Sequence, residues 1–396
     1  MTPERVDVLV VGGGPVGLFA AALLAARGVD VAVWERRTAP PSGSRAIGIH
    51  PPSLDAFAAI GLDGAVLAEA ALVRTGVARS RGRVLGTLSF DGVSRTHPYV
   101  ATLDQHRTEE LLRERLAPGE LRTGTTLTAL RRGHAAVVAH GTGPDGAARS
   151  VEAAFVIGAD GGRSTVRDLL GIDAHGPDYR HRYVMGDFAD PEPAEARSSA
   201  LVDVGPNGVV ESFPLPAGRR RYVAFDGDGG GDRDDDVPSA DRDAPDPVTA
   251  TRLAAVVTAR TGAHPDPATC SMTSAFGVRR REAARFGVGR VVLVGDAAHE
   301  ISPIGGQGMN LGWLDVATLA PILAGAVRTG STGPWPAWAR ARRSAARRAA
   351  RQAEVNMALG LPTSAVGALG RDALLRSALA LPTASALARI YAMRWA

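Results

Sequence analysis

Two glycine-rich loops and the carboxylates beside them carry the chemistry that this chain of 396 residues can do. The first loop is Gly12-Gly-Gly14-Pro15-Val16-Gly17, flanked by an apolar run ending at Val11 and a helix-forming run from Leu18 to Arg27. In a strand–loop–helix of this kind, Gly12 permits the tight turn and Gly14 lets the backbone approach a pyrophosphate. Gly17 lets helix and strand pack closely. Glu35 follows at the end of the next apolar run, Val31–Trp34. A carboxylate there accepts from both hydroxyls of an adenosine ribose and disfavours a 2′-phosphate. The second loop lies far downstream, in Val291-Val-Leu-Val-Gly295-Asp296-Ala-Ala-His-Glu-Ile-Ser-Pro303-Ile-Gly-Gly306-Gln-Gly308-Met309-Asn310. Four apolar residues read as a buried strand, closed by a turn and a carboxylate. Gly305, Gly306 and Gly308 leave the backbone bare before a helical pattern that starts near Asn310. Bare amides at a helix start make a site for partial negative charge.

A third segment joins them. Val151–Gly158 is an apolar strand followed by Ala159-Asp160-Gly161-Gly-Arg163 and a basic helix start. An Asp-Gly pair alone is an ordinary turn, but three strand-to-glycine elements in this order are not explained by turns. With these three motifs the chain resembles the FAD-dependent aromatic hydroxylases of the para-hydroxybenzoate hydroxylase and ubiquinone-biosynthesis hydroxylase type, over roughly residues 5–350. The resemblance implies an α/β fold: a Rossmann-like FAD-binding domain with a β-sheet substrate domain inserted and a C-terminal helical segment. It implies FAD and NAD(P)H as cofactors and molecular oxygen as co-substrate. The expected activity is hydroxylation of an aromatic or polyketide-like small molecule through a flavin C4a-hydroperoxide. A flavin-dependent reductase or dehydrogenase of the geranylgeranyl reductase type, or a non-catalytic flavin-binding protein, stays open as an alternative.

By the same resemblance the cofactor-binding positions are Gly12, Gly14, Pro15, Val16, Gly17, Glu35, Arg36, Arg45, Gln105, Asp160, Gly161, Asp296, Pro303, Gly306, Gly308, Met309 and Asn310. Arg45 matches an arginine along the FAD, and Gln105 a glutamine that touches the cofactor before a helix, with Arg107 as its companion. Asp160 is expected to hold a helix or loop against the pyrophosphate, with Arg163 serving nicotinamide. Asp296 is expected to bind the ribityl hydroxyls and Pro303 to shape the wall beside the ring. The amides of Gly308, Met309 and Asn310 are expected to face its pyrimidine end, where reduction places negative charge. Gly308 is read as a position whose φ or close approach excludes valine. His299 follows the Gly-Asp turn and is read as structural. No catalytic residue and no metal ligand is assigned, and Phe213, Tyr222 and Phe225 are generic candidates for an apolar pocket. Glu300 and Trp313 depart from the family pattern and bear on either the substrate entrance or the packing.

Composition narrows the classes further. The 45 basic residues are all arginine, so Schiff-base chemistry, the P-loop lysine and the flavin halogenases with their active-site lysine are excluded. The net charge of +4 is modest and indicates no nucleic-acid partner. A single cysteine, Cys270, excludes an internal disulfide and a multi-cysteine metal site. No signal peptide is visible and no apolar run reaches the length of a membrane helix, so no integral membrane segment and a cytoplasmic location are expected. The expected organisation is FAD-binding at 1–75, 101–175 and 271–335, substrate domain at 76–100 and 176–270, and a helical segment at 336–396. The Gly/Asp/Pro-rich tract Asp226–Pro247 lacks the ligand spacing of a calcium loop and reads as a surface loop. The arginines from Arg340 to Arg351 spread around more than one helix face, which suggests exposure.

Overall fold

The computed structural model describes residues 3–39, 46–193, 197–228, 247–380 and 384–395. Arg45 and most of the Gly/Asp/Pro tract lie outside the described residues.

The expected fold is borne out, and its first layer is a mostly parallel sheet. Strands Gly287–Val288, Val291–Leu293, Ala148–Gly158, Glu4–Val11, Val31–Glu35 and Leu121–Thr123 lie side by side in that order. Their continuous apolar runs suit strands covered on both faces. Register brings the motifs together: Val11 pairs with Gly158, Gly158 with Leu293, and Trp34 with Val11. The three glycine loops and Glu35 therefore leave the sheet at the same edge, the carboxyl ends of the strands, where open α/β sheets bind ligands.

Helix Pro15–Ala25 starts with proline at its first position and buries Leu18 through Leu24. It crosses helix Gly308–Thr329 so closely that a Cβ on Gly312 would stand 2.6 Å from Val16. Helix Gly308–Thr329 is long and apolar enough to cross a membrane, although Asn310, Asp315 and Thr318 keep it from being a continuous apolar run. Here Leu311, Trp313, Leu319 and Leu323 are buried in the fold, and the helix is a core element.

The second layer is a seven-stranded sheet ordered Met272–Arg279, Asp178–Ala189, Arg219–Asp228, Val210–Leu215, Ser199–Asp203, Thr75–Ser80 and Arg83–Ser89. On one face Val184, Phe188, Val210, Tyr222 and Ala224 pack with Leu253 and Val257 of helix Pro247–Thr261. The other face looks toward the parallel sheet. Helices Ala365–Ala380 and Ala384–Tyr391 lie on the edge strand Arg83–Ser89, where a Cβ on Gly86 would stand 2.4 Å from that of Leu379.

The arginines of helix Trp335–Gly360 are not uniformly exposed. Arg342 is buried against Asp315, while Arg343 and Arg347 converge on Glu282. Carboxylates from distant segments hold these side chains, a pairing the helical wheel alone does not reveal.

Candidate functional site

A cavity of about 1830 Å³ runs from the glycine loops to the inner face of the mostly antiparallel seven-stranded sheet. Gly12, Gly14, Pro15, Val16, Glu35, Arg36, Gln105, Asp160, Gly161, Asp296, Pro303, Gly306, Gly308 and Met309 all line it. Gly17 and Asn310 stand behind this lining.

The glycines divide by role. A Cβ on Gly12 would meet the Ala159 carbonyl at 2.3 Å, and its φ of +109° already disfavours any side chain. A Cβ on Gly17 would stand 1.9 Å from the Gly12 carbonyl oxygen. Both glycines are demanded by the protein's own packing. Gly14 has an ordinary φ of −81° and a Cβ there would meet nothing within 4 Å. Its bareness serves the cavity, not the fold, as a backbone cradle for a phosphate group requires.

Glu35 is buried and accepts from the Gly13 amide at 2.6 Å and from the Arg37 amide at 2.8 Å. The Arg37 guanidinium adds a contact at 2.9 Å. Burial would raise this carboxyl, but Arg37 and the two amides outweigh it and hold the group below the usual range. Arg37 also lines the cavity, a residue the motif spacing did not single out. Asp160 accepts from the Ser164 hydroxyl and, at 3.0 Å, from the Val166 amide, tying down the start of helix Thr165–Leu169. Burial nonetheless leaves its carboxyl raised.

Asp296 differs from both. Among the described residues no hydrogen-bond donor reaches it, and it lies exposed in the lining of the cavity. The protein around it, with Glu300 adding repulsion, pushes the group up to about 6. Beyond it, the first backbone bond of the long helix runs from the Leu311 amide to the Gln307 carbonyl. The amides of Gly308, Met309 and Asn310 are left without an intrahelical acceptor. A bare backbone cradle, a carboxylate without a hydrogen-bond donor among the described residues and bare helix-start amides fit the pyrophosphate, ribityl and ring portions of a flavin dinucleotide.

Other expected positions fall differently. The Asn310 side chain faces inward and clamps the loop before helix Pro51–Ala58. Its Oδ1 accepts from the His50 amide at 2.8 Å, and its Nδ2 donates to Gly48 and Gly306. Gly308 is not in the left-handed region, and a Cβ there would only touch Ile301 at 3.5 Å. The expectation of a φ forbidden to valine is corrected, because the residue is the first of a regular helix. Gln105 opens helix Gln105–Arg113 and donates to Glu109, whereas Arg107 is held by Glu69 and Glu110 outside the cavity. Phe213 lines the cavity, while Tyr222 packs on the opposite face of its sheet. Glu300 accepts from Arg279 at 2.7 Å and abuts Gly162, joining the second and third motifs.

A parallel sheet with three glycine cradles on one edge, sharing a cavity with an antiparallel sheet, defines a dinucleotide-binding protein with an adjoining chamber for a second ligand. Residues 5–353 match the family described as FAD binding domain, and the chain belongs to that family. It is 37% identical, over 343 residues, to a 12-dehydrotetracycline 5-monooxygenase/anhydrotetracycline 6-monooxygenase of Streptomyces rimosus. That match covers 83% of this chain and spans 64% of the relative's length. Among solved structures, p-nitrophenol 4-monooxygenase of Pseudomonas putida superposes with a TM-score of 0.83 at 25% identity, covering 99% of this chain and 98% of that one. The anhydrotetracycline hydroxylase of Streptomyces rimosus gives 0.76 at 30% identity, covering 98% and 76%. The resemblance drawn from the three motifs is thereby borne out.

Proposed function

We propose that this chain is an FAD-dependent monooxygenase that consumes NAD(P)H and inserts one atom of molecular oxygen into an aromatic or polyketide-like small molecule. The shared cavity carries this reading. At about 1830 Å³ it exceeds the roughly 300–1,000 Å³ of a single small-ligand site, so cofactor and substrate have room together. The activities named for the relatives, on tetracycline intermediates and a nitrophenol, support the same class.

In this reading Gly12, Gly14 and Gly161 admit the pyrophosphate, Glu35 and Arg37 take the adenosine ribose, and Asp296 accepts from the ribityl hydroxyls. Bound FAD would supply the redox chemistry, taking two electrons from NAD(P)H and passing them to oxygen. The start of helix Gly308–Thr329 offers partial positive charge to a reduced ring, and as fixed dipoles its amides need no reorganisation. Val202, Val223 and Phe276 on the sheet, with Leu375 and Leu379 on a C-terminal helix, line the rest of the cavity and keep water from the reacting centre. Dependence on NAD(P)H assigns the work to the cytoplasm.

The test is turnover of candidate phenols by the yellow, FAD-loaded protein under isotopically labelled oxygen gas. The expected product carries one labelled oxygen atom, with NAD(P)H consumed in step. Unlabelled product formed equally well without oxygen would replace this reading by the reductase. FAD binding with no NAD(P)H oxidation would replace it by a non-catalytic flavoprotein.

A further inference from the structure

Directly opposed residues in a sheet share a face. Across five strands of the seven-stranded sheet, Met185 opposes Val223, Val223 opposes Glu211 and Glu211 opposes Val202 in antiparallel pairs, and Val202 stands beside Ala78 in a parallel one. All five line the cavity, and Glu211 is the one ionisable member of an otherwise apolar row. The alternation along Val210–Leu215 is otherwise regular: Val210 and Tyr222 face the helix behind the sheet, while Glu211 and Phe213 face the cavity.

Among the described residues no donor or cation holds the Glu211 carboxylate. Burial alone pushes it up to about 7, with no arginine contributing. Arg221, in the adjoining row opposite Phe213, is spent on Asp187, whose two oxygens it holds at 2.7 and 2.8 Å. Two tyrosines lie within electrostatic reach. Tyr183 and Tyr391 are both raised, first by burial and then by Glu211, yet neither hydroxyl bonds to it. Tyr391 donates instead to Asn356 at 3.0 Å. An unpaired carboxylate in an apolar wall is costly unless a donor arrives to meet it.

We infer that Glu211 is the polar anchor of the substrate chamber, accepting a hydrogen bond from a phenolic hydroxyl and rejecting ring systems that carry a carboxylate. The inference rests on the monooxygenase reading for what then happens to the ligand. A hydroxyl donor on a ring satisfies the acceptor while the ring covers Val223, Val202 and Phe213. A carboxylate ligand would bring a second acceptor to Glu211, on which no cation among the described residues acts; Arg180, Arg182 and Arg351 line the same cavity but do not offset that carboxylate.

The experiment measures binding of β-naphthol, naphthalene and β-naphthoate to the FAD-loaded protein through perturbation of the flavin absorbance. We expect β-naphthol to bind about tenfold more tightly than either analogue, in line with one strong hydrogen bond. Glu211→Leu should bring β-naphthol and naphthalene to equal affinity. Glu211→Gln, which keeps an acceptor without the charge, should retain the preference for β-naphthol over naphthalene and bind β-naphthoate better than the parent does. FAD occupancy and circular dichroism report folding, and the glutamine variant carries the test if the leucine variant does not fold. Equal binding of the three probes by the parent overturns the inference. So does a hydroxyl preference that survives in Glu211→Leu, or a β-naphthoate affinity unmoved in Glu211→Gln. No arm uses NAD(P)H or oxygen, so a failed labelling experiment and a failed binding experiment remain distinct results.

Discussion

His299 Nε2 and Asp315 Oδ2 meet at 2.5 Å in the protein interior, behind the cavity wall. The same carboxylate accepts from Arg342 Nε at 2.7 Å and from the Gly295 amide at 3.1 Å. One side chain thus fastens the turn that presents Asp296 to the long helix and to helix Trp335–Gly360. Burial opposes ionisation of Asp315, but His299 and Arg342 outweigh it and hold the carboxyl below its usual range. His299 is therefore a partner of Asp315, with no face on the cavity.

Asp315→Ala should be among the most damaging single changes. It leaves a buried arginine without its counter-charge, a loss of about 3–5 kcal/mol, and removes the acceptor of the Gly295 amide. Denaturant unfolding should register that loss, and FAD content should fall with it. A variant as stable as the parent would mean that Arg342 finds water or another carboxylate.

Asp296 should give two opposite pH responses. Its carboxyl, at about 6 against an ordinary 3.8, binds protons more readily in the folded state. Stability of the FAD-free protein should therefore fall as pH rises between about 4 and 6, and Asp296→Asn should lack that component. Ribityl hydroxyls donate to the ionised form, so FAD affinity should rise over the same window. Asp296→Ala should weaken FAD about tenfold or more at neutral pH. FAD titrations on either side of the window, for parent and both variants, decide it. Equal affinities throughout would remove Asp296 from the cofactor site.

Gly14 and Gly17 sit in one loop and should respond differently to alanine. At Gly17 the Cβ would stand 1.9 Å from a backbone oxygen, so the loop must move and stability must fall. At Gly14 nothing obstructs it and φ is permitted, so Gly14→Ala should melt at or slightly above the parent temperature. Its methyl group would occupy the cradle instead, and FAD affinity alone should drop. Thermal melts beside FAD titrations separate the two, and parent-like FAD affinity for Gly14→Ala would refute the cradle.

The legible features were those written locally. Each glycine motif follows an apolar strand, and the short runs 199–204, 209–215 and 221–225, separated by Gly-Pro-Asn and Pro-Ala-Gly turns, are legible from sequence as the strands Ser199–Asp203, Val210–Leu215 and Arg219–Asp228. Illegible features depend on segments brought together from afar. Arg342 reads as a surface arginine until Asp315 meets it 27 residues away in sequence. Glu211 reads as the polar half of an alternating strand, because sequence does not say that both faces of this sheet are covered. The C-terminal segment is legible as helical but not as a wall of the cavity, which Leu375, Leu379 and Tyr391 line.

Trp313 shows how a departure from family pattern resolves into packing. The indole is fully buried, meets the Phe57 ring edge-on at 4.8 Å, and donates to the Pro15 carbonyl at 3.0 Å. It thus fills the space beneath the first glycine loop and fixes the residue that follows Gly14. Trp313→Ala should lose about 3–5 kcal/mol through the cavity it leaves, and FAD affinity should fall because the loop loses its support. Trp313→Phe keeps the ring contact and gives up one hydrogen bond, about 0.5–1.5 kcal/mol, so FAD affinity should stay within a few-fold of the parent. Unfolding curves and FAD titrations of both variants check this. If Trp313→Ala unfolds like the parent, the loop is held by other contacts. If Trp313→Phe loses FAD as severely as Trp313→Ala, the hydrogen bond to Pro15 outweighs the ring in shaping the cradle.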